Sequence, residues 1–330
     1  MDRLTLSFSF LLTLHLSISG IISTATFTFL NKCDYTVWPA ILSNAGFASL
    51  STTGFVLLTG DSKTITAPTY WGGRVWARTF CTQNSTTGIF SCVTGDCSSG
   101  NIECSGNGAT PPATLAEFKL DGYGGLDYFD VSVVDGYNLP MLVVPNGGSG
   151  VNCTATGCVD DLNGACPSEL RVMSVDGKRS VACKSACEAF GTAEYCCKGA
   201  YASPDTCKAS SYSEMFKKAC PSAYSYAYDD KTSTFTCTSV STDYTITFCA
   251  SPNTSKKTWQ GQNLTDSEGS DSYFGSLPQI NDNNNNTMVY VGGADQSEIS
   301  SSWSKCTHFK ESHAIVSIVI AIWLLRHPFF

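Results

Sequence analysis

Between residues 25 and 252 the sequence contains no histidine. All the histidines of the 330-residue chain are in its terminal segments, at His15, His308, His313 and His327. This absence excludes Ser-His-Asp and Cys-His catalysis in the body of the chain, and it leaves only all-cysteine or carboxylate ligand sets for a metal. Any chemistry there must use carboxylates, hydroxyls or basic side chains.

Charged residues are also scarce, at 15%, and the chain has only 20 Lys and Arg against 28 Asp and Glu, for a net charge of −8. Nucleic-acid binding requires clustered Lys and Arg, so nucleic acid is excluded as a partner. No pattern indicates a metal or an organic cofactor, and we expect none. Long amphipathic helices are missing too, whereas 28 glycines and 12 prolines favour a protein of strands and turns.

Cysteine, by contrast, is abundant, with 17 residues that begin only at Cys33. A reducing compartment does not allow so many cysteines to pair, so the composition indicates a secreted protein built on disulfides. Their spacing alone does not select one pairing scheme among the many that are possible.

Both ends of the chain have the composition of targeting segments. Residues 1–25 combine an early arginine, an apolar stretch and small residues, which predicts a secretory signal peptide. Near the other end, Ala314–Leu325 is apolar but shorter than the about 20 residues that cross a bilayer. Small residues around Ser301 and a polar spacer precede it, so we predict a GPI-attachment signal over 303–330 with Ser301 as the lipidated residue. A marginal single-pass anchor and a vacuolar extension are the alternatives.

Residues 251–302 are rich in Asn, Ser, Asp and Gly, contain no cysteine and have few apolar side chains. Such a segment cannot bury enough surface to offset the entropy of ordering, so we predict a disordered stalk. Glycosylation sequons begin at Asn253, Asn263 and Asn285 in this stalk and at Asn84 in the body. The odd cysteine, Cys306, would leave with the C-terminal signal.

The body, residues 26–250, contains short strand-like runs bounded by turn residues, including Gly54–Gly60 and Thr234–Cys249. Ten cysteines crowd between Cys153 and Cys237, where helical turns are expected around Ser185–Phe190 and Tyr212–Ala219. The pattern predicts a mainly β protein: an antiparallel β-sandwich with an inserted disulfide-rich lobe, about 153–237, that contains short helices.

Several motifs in the body resemble one family. The run Gly88-Ile89-Phe90-Ser91-Cys92-Val93-Thr94-Gly95-Asp96-Cys97, which closes at Gly100 and Cys104, is similar to the thaumatin-like protein motif along its whole length. Four further segments support the resemblance: Tyr35–Trp38, Pro111–Phe118, Val134–Pro140 and Tyr195–Cys197. The resemblance covers residues 25–250 and points to the plant pathogenesis-related type.

This resemblance implies eight disulfides that leave no free cysteine in the body. The pairs are Cys33–Cys249, Cys81–Cys92, Cys97–Cys104, Cys153–Cys237, Cys158–Cys220, Cys166–Cys183, Cys187–Cys196 and Cys197–Cys207. Long closed loops restrict the unfolded chain most, by about 3–5 kcal/mol each in the entropy model. The resemblance therefore implies a heat-resistant protein that unfolds on reduction.

The resemblance also implies an acidic cleft between the sheet domain and the lobe, lined by one arginine, one glutamate and three aspartates. Matched motif by motif, these are Arg74, Glu117, Asp130, Asp135 and Asp229. For the last of them, Asp230 is the adjacent alternative. Asp130 and Asp135 are an odd number of positions apart, so in one regular strand their side chains would point to opposite faces. Both can face one cleft only if the chain bends near Asp135-Gly136.

These acids suggest two kinds of chemistry. Carboxylates and aromatic faces could bind sugars, with Tyr70, Trp71 and Trp76 as candidate stacking residues for which packing in the protein is the alternative. Clustered carboxylates could also supply an acid and a base for glycoside hydrolysis, with Glu117 and Asp130 as the catalytic pair.

We predict a monomeric, secreted defence or wall-associated protein that binds polysaccharide, by resemblance β-1,3-glucan, with antifungal action. It would lie in the cell wall or on the extracellular face of the plasma membrane, which it would touch only through its lipid. The alternatives are a weak endo-β-1,3-glucanase, an inhibitor of a secreted hydrolase or a membrane-permeabilising protein, and a structural role for the acids.

Overall fold

The computed structural model describes residues 24–240 and 242–251. The predicted signal peptide, stalk and GPI-attachment signal lie outside these residues, apart from residues 24, 25 and 251. The predicted modification sites Asn253, Asn263, Asn285 and Ser301, together with Cys306, are also outside them.

Two β-sheets pack against each other, and the fold is mainly β, as predicted. The first sheet has five strands in the order β3-β1-β13-β8-β9. Its strands are β1 (Thr24–Asn31), β3 (Ser62–Pro68), β8 (Met141–Asn146), β9 (Thr156–Cys158) and β13 (Asp243–Phe248). Neighbouring strands are antiparallel except for β1 and β13, which are parallel.

The second sheet has six strands in the order β12-β7-β6-β4-β2, with β5 paired to β4. They are β2 (Trp38–Ser43), β4 (Gly72–Gln83), β5 (Phe90–Thr94), β6 (Leu115–Lys119), β7 (Leu126–Ser132) and β12 (Phe235–Thr238). Two predicted runs differ from this arrangement. Gly54–Gly60 only bridges β2 at isolated points, and Thr234–Cys249 is not one strand but two, β12 and β13, which lie in different sheets.

Alternation of side chains along the second sheet separates a core face from an outer face. Ala116 and Phe118 of β6 are buried in the main core between the sheets, whereas Glu117 and Lys119 face the other way. The core is rich in aromatic rings: Phe27 and Phe118 have ring centroids 4.6 Å apart, and Phe118 lies edge-on to Tyr244 at 5.2 Å. This packing holds the second sheet firmly, so its outer face can carry polar groups.

The lobe between Cys153 and Cys237 contains short elements only. These are the hairpin of β10 (Arg171–Met173) and β11 (Ser180–Cys183) and the helices α1 (Ala186–Phe190), α2 (Ser211–Ala219) and α3 (Asp230–Ser233). Ser185 caps α1 by accepting from the Glu188 amide at 3.2 Å, and Ser210 forms a capping box on α2. The helices predicted from sequence therefore begin and end within a residue or two of α1 and α2.

The structure contains the same eight disulfides that the family resemblance implies. Cys33 and Cys249 follow the carboxyl ends of β1 and β13. Because these strands are parallel neighbours, their ends lie side by side, and the disulfide joins residues 216 positions apart in sequence.

Candidate functional site

Three neighbouring strands place a basic and two acidic side chains in one row on the outer face of the second sheet. Arg74 of β4 is paired with Glu117 of β6, and Glu117 is paired with Asp130 of β7. Directly opposed residues on adjacent strands have Cβ atoms about 4.5–5.5 Å apart, so the three side chains are close neighbours. The register thus brings together three of the five residues that the resemblance implies for the cleft.

Arg74 and Glu117 form an ion pair, with Arg74 Nε 3.5 Å from Glu117 Oε1, and each side chain is 17% exposed. Burial raises the pKa of Glu117. The positive charge of Arg74 opposes that rise, and the negative charge of Asp135 adds to it. The pair thus gives the site one hydrogen-bond donor group and one acceptor group with access to solvent.

Asp130 is almost fully enclosed, at 2% exposure. Its Oδ2 is buried and has no hydrogen-bond partner among the described residues. Burial raises the pKa of Asp130 well above its usual value, and the negative charges of Glu117 and Asp230 raise it further, against the effect of Arg74. A carboxyl in this position favours its protonated form.

Asp135 lies in a turn just after β7, which ends at Ser132. Gly136 has φ +84, and its amide donates to the carbonyl of Val133 at 3.0 Å. The chain therefore bends at the point where a bend is needed for Asp130 and Asp135 to face the same side. Burial raises the pKa of Glu188 on α1, as it does that of Glu117 on the sheet, and the negative charge of Asp135 adds to the rise in both. Two residues after Asp135, Tyr137 exchanges backbone hydrogen bonds of 2.7 and 2.8 Å with Cys183 of β11, so Asp135 lies where the chain passes from β7 to the lobe.

The two candidates for the third aspartate have different partners. Asp229 Oδ2 forms an ion pair with Lys217 Nζ at 2.9 Å and accepts hydrogen bonds from the amide and hydroxyl of Ser225. Asp230 accepts from the hydroxyl of Tyr224 at 2.7 Å and is the one whose charge raises the pKa of Asp130. Asp229 thus joins Lys217 of α2 to Ser225, while the charge of Asp230 acts on Asp130 in the row of site residues.

Sequence reasoning did not single out Glu188 or Tyr224, and it kept Asp230 only as an alternative. Tyr224 is buried against β7, where its amide donates to the Val131 carbonyl at 2.8 Å and its carbonyl accepts from the Val133 amide at 2.9 Å. These backbone bonds join the lobe to the second sheet beside Asp130. Tyr224 has no sequence pattern that could have shown this, because the contact joins residues about ninety positions apart.

The candidate stacking residues have different environments. Trp71 and Trp76 are buried, and their indole N–H groups donate to Ser43 Oγ at 2.9 Å and to the Gly95 carbonyl at 2.7 Å. Both side chains therefore pack in the protein interior, which was the alternative to a role in stacking on sugars. Tyr70 is 60% exposed.

Asn84, the sequon residue in the described part of the chain, is exposed. Its Oδ1 accepts from the amides of Thr86 and Thr87, both at 2.9 Å. Within residues 24–240 and 242–251, no helix is long and apolar enough to cross a membrane. The same residues contain no group of three His, Cys, Asp or Glu side chains arranged to hold a metal ion.

Fold and site together define a class: a disulfide-stabilised β-sandwich that has an inserted lobe and a row of one basic and two acidic side chains on one sheet. Residues 31–250 match the sequence model of the Thaumatin family. The chain therefore belongs to the thaumatin family, and the resemblance drawn from the motifs is confirmed.

Three curated relatives support this assignment, and the match covers most of the length of each of them. The chain is 58% identical over 251 residues to thaumatin-like protein 1 of Arabidopsis thaliana, which covers 74% of this chain and 93% of the relative. It is 54% identical over 232 residues to pathogenesis-related protein 5 of the same plant, covering 70% and 93%. A Prunus avium protein named glucan endo-1,3-beta-glucosidase is 52% identical over 225 residues, covering 68% and 90%. The chain is thus a thaumatin-like protein of the pathogenesis-related group, whose members are typically secreted.

Proposed function

We propose that this protein is a defence or wall-associated protein that binds a polysaccharide, β-1,3-glucan, in the groove between the second sheet and the lobe. The observation that carries the proposal is the row of Arg74, Glu117 and Asp130 on adjacent strands, with Arg74 and Glu117 partly exposed. Sugar hydroxyls donate and accept hydrogen bonds, a guanidinium donates and a carboxylate accepts, so this row suits a sugar.

Charge supports a neutral ligand over an anionic one. Glu117 forms an ion pair with Arg74, Asp130 lies opposite Glu117 on the next strand, and the whole chain carries a net charge of −8. An anionic polysaccharide would be repelled by this surplus of carboxylates. A neutral glucan avoids that cost and still satisfies the polar groups of the groove.

Retention on insoluble β-1,3-glucan tests the proposal. The wild-type protein should be retained, whereas Glu117→Gln and Asp135→Asn should reduce retention because each removes an ionised acceptor at the groove. Glu214→Gln, at an exposed position of α2, is the matched control and should be retained like the wild type. If the wild-type protein is not retained, the proposal is wrong.

Weak endo-β-1,3-glucanase activity is the second candidate, favoured by the raised pKa values of two directly opposed carboxyls, Glu117 and Asp130. A carboxyl with a raised pKa can donate a proton to a glycosidic oxygen. Glu117 is open enough to do so, whereas Asp130 is enclosed and would act on Glu117 through its charge. The name of the Prunus avium relative is consistent with this candidate.

Long incubation with soluble β-1,3-glucan tests for hydrolysis. If the second candidate is right, wild-type protein releases reducing ends, and Glu117→Gln abolishes the release without loss of the fold. Absence of reducing ends with pure wild-type protein would remove the enzyme hypothesis and leave the binding proposal intact.

Antifungal action and attachment to the cell surface are part of the same proposal. Growth of a fungus with a glucan-containing wall should be inhibited by the wild type and less so by Glu117→Gln. Attachment through Ser301 predicts that phosphatidylinositol-specific phospholipase releases the protein from plant membranes. Persistence on the membrane after this treatment would favour the single-pass alternative.

A further inference from the structure

The loop between β8 and β9 contains the triplet Asn152-Cys153-Thr154, which also has the Asn-x-Thr pattern of a glycosylation sequon. In a secreted protein such a triplet accepts an N-linked glycan when it lies on a surface loop. Asn152 is exposed and lies in a turn, where the Cys153 amide donates to the Gly150 carbonyl at 3.2 Å. The structure thus meets the condition that the triplet alone leaves open.

Three largely exposed apolar side chains lie on three loops at this end of the sandwich. Val151, the residue before Asn152, is 91% exposed, Val240 between β12 and β13 is 74% exposed, and Tyr123 between β6 and β7 is 72% exposed. Single apolar side chains are common on protein surfaces, whereas several together promote association with other molecules. We call Tyr123, Val151 and Val240 the apolar tip.

Hydrogen bonds hold the three loops side by side. The Thr238 amide, at the end of β12, donates to the Ser149 carbonyl in the loop between β8 and β9 at 2.9 Å. The amide and the hydroxyl of Ser239 both donate to the Gly125 carbonyl, just before β7, at 3.1 and 2.8 Å. Each residue of the apolar tip is one or two positions away from one of these contacts. A bulky group on Asn152 would therefore lie beside the tip.

Cys153 stands in the middle of the triplet and is paired with Cys237, 84 positions later. Once this disulfide has formed, the loop is fixed and the triplet cannot extend into the active site of a glycosylating enzyme. At about 5–20 residues per second, synthesis of the 84 intervening positions takes about 4–17 s. Disulfide formation itself takes seconds to hours. The late position of its native partner therefore leaves the triplet open while the chain is being made.

We propose that Asn152 carries an N-linked glycan and that this glycan covers the apolar tip. The side-chain nitrogen of Asn152 attacks the anomeric carbon of an oligosaccharide held on a lipid diphosphate. The bond from nitrogen to this carbon forms, the bond from the carbon to the diphosphate oxygen breaks, the amide loses one proton, and the lipid diphosphate leaves. The attached glycan is bulky and well hydrated, so it separates the tip from other molecules. This inference does not depend on glucan binding.

Mass spectrometry of proteolytic peptides from the full chain, expressed in plant cells, tests the modification. The peptide that contains Asn152 should carry hexose and N-acetylhexosamine units. Asn152→Gln and Thr154→Ala should each lose them, whereas Thr154→Ser should keep them because serine also satisfies the triplet. The sugar is attached before folding, so a variant that is not secreted is captured from the cells and analysed in the same way. A wild-type peptide found only unmodified, in cells that glycosylate a co-expressed reference glycoprotein, would overturn the proposal.

Hydroxyl-radical footprinting tests whether the glycan covers the tip. Tyr123 should be protected from oxidation in the wild-type protein, and this protection should be lost in Asn152→Gln and after enzymatic removal of the glycan. Tyr201, an exposed tyrosine of the lobe, is the matched control and should react equally in all samples. Near-ultraviolet circular dichroism establishes that the samples are folded. If Tyr123 reacts equally with and without the glycan, the glycan does not cover the tip and that part of the proposal is wrong.

Discussion

Substitution of Asp130 by Asn should stabilise the protein at neutral pH. Asp130 is 2% exposed, its Oδ2 has no hydrogen-bond partner among the described residues, and its pKa is raised by burial first and then by the charges of Glu117 and Asp230. A carboxyl with a higher pKa in the folded state binds more protons there than in the unfolded state. The free energy of unfolding therefore falls as the pH rises from the unfolded pKa, about 4, through the folded pKa.

The magnitude follows from the cost of burying an unsatisfied polar group. Each unit by which the folded pKa exceeds the unfolded value removes about 1.4 kcal/mol of stability above the folded pKa. Asn keeps the shape of the side chain but cannot ionise, so the substitution removes the added cost of a buried, unpartnered charge, about 1–2 kcal/mol. For a domain of this size that change raises the melting temperature by about 2–8 °C.

Differential scanning calorimetry of the oxidised protein, at a series of pH values from about 3 to about 8, measures this difference. The Asn variant should match the wild type at the acid end and exceed it increasingly as the pH rises. Asp61→Asn, at an exposed position before β3, should follow the wild type throughout. An Asn variant that is no more stable than the wild type at neutral pH would refute the reasoning.

Two further substitutions test how the groove is built, each by thermal or denaturant unfolding. Lys217→Met should cost about 1–3 kcal/mol because it leaves Asp229 without its ion-pair partner, whereas Lys218→Met, on the exposed side of the same helix, should change stability by less than about 0.5 kcal/mol. If the two substitutions destabilise the protein equally, the ion pair between Lys217 and Asp229 does not contribute to its stability. Gly136→Ala should cost about 2–4 kcal/mol, because φ is +84 and a new Cβ would lie 2.6 Å from a backbone oxygen. Gly46→Ala, with φ +85 and no atom within 4 Å, should cost only about 1–2 kcal/mol, and equal losses would show that the close contact contributes nothing.

Period-two patterns in the sequence predicted much of the sheet that carries the site. In β6, Ala116 and Phe118 pack in the main core while Glu117 and Lys119 face away from it, which is the alternation expected of a strand with one face on the core. The odd spacing of Asp130 and Asp135 required a bend between them if both were to face one side, and a turn is present there.

Long-range relations were not available from local patterns. Thr234–Cys249 was predicted as one strand because the stretch between β12 and β13 has no glycine or proline to mark the turn. Asp229 and Asp230 differ in role through their contacts with Lys217 and Tyr224, and no local rule fixes those contacts. The disulfide pairs came from family resemblance, since spacing leaves many schemes open.

The parallel pairing of β1 with β13 has a consequence for how the chain can be made. β13 is the third of five strands in its sheet, between β1 and β8, and yet it is the last strand of the domain. When the chain has been synthesised only as far as residue 242, the strands on both sides of β13 are present, but β13 itself, which joins them, is not. Final assembly has to wait for the end of the domain, and until then the open strand edges need protection in the secretory compartment.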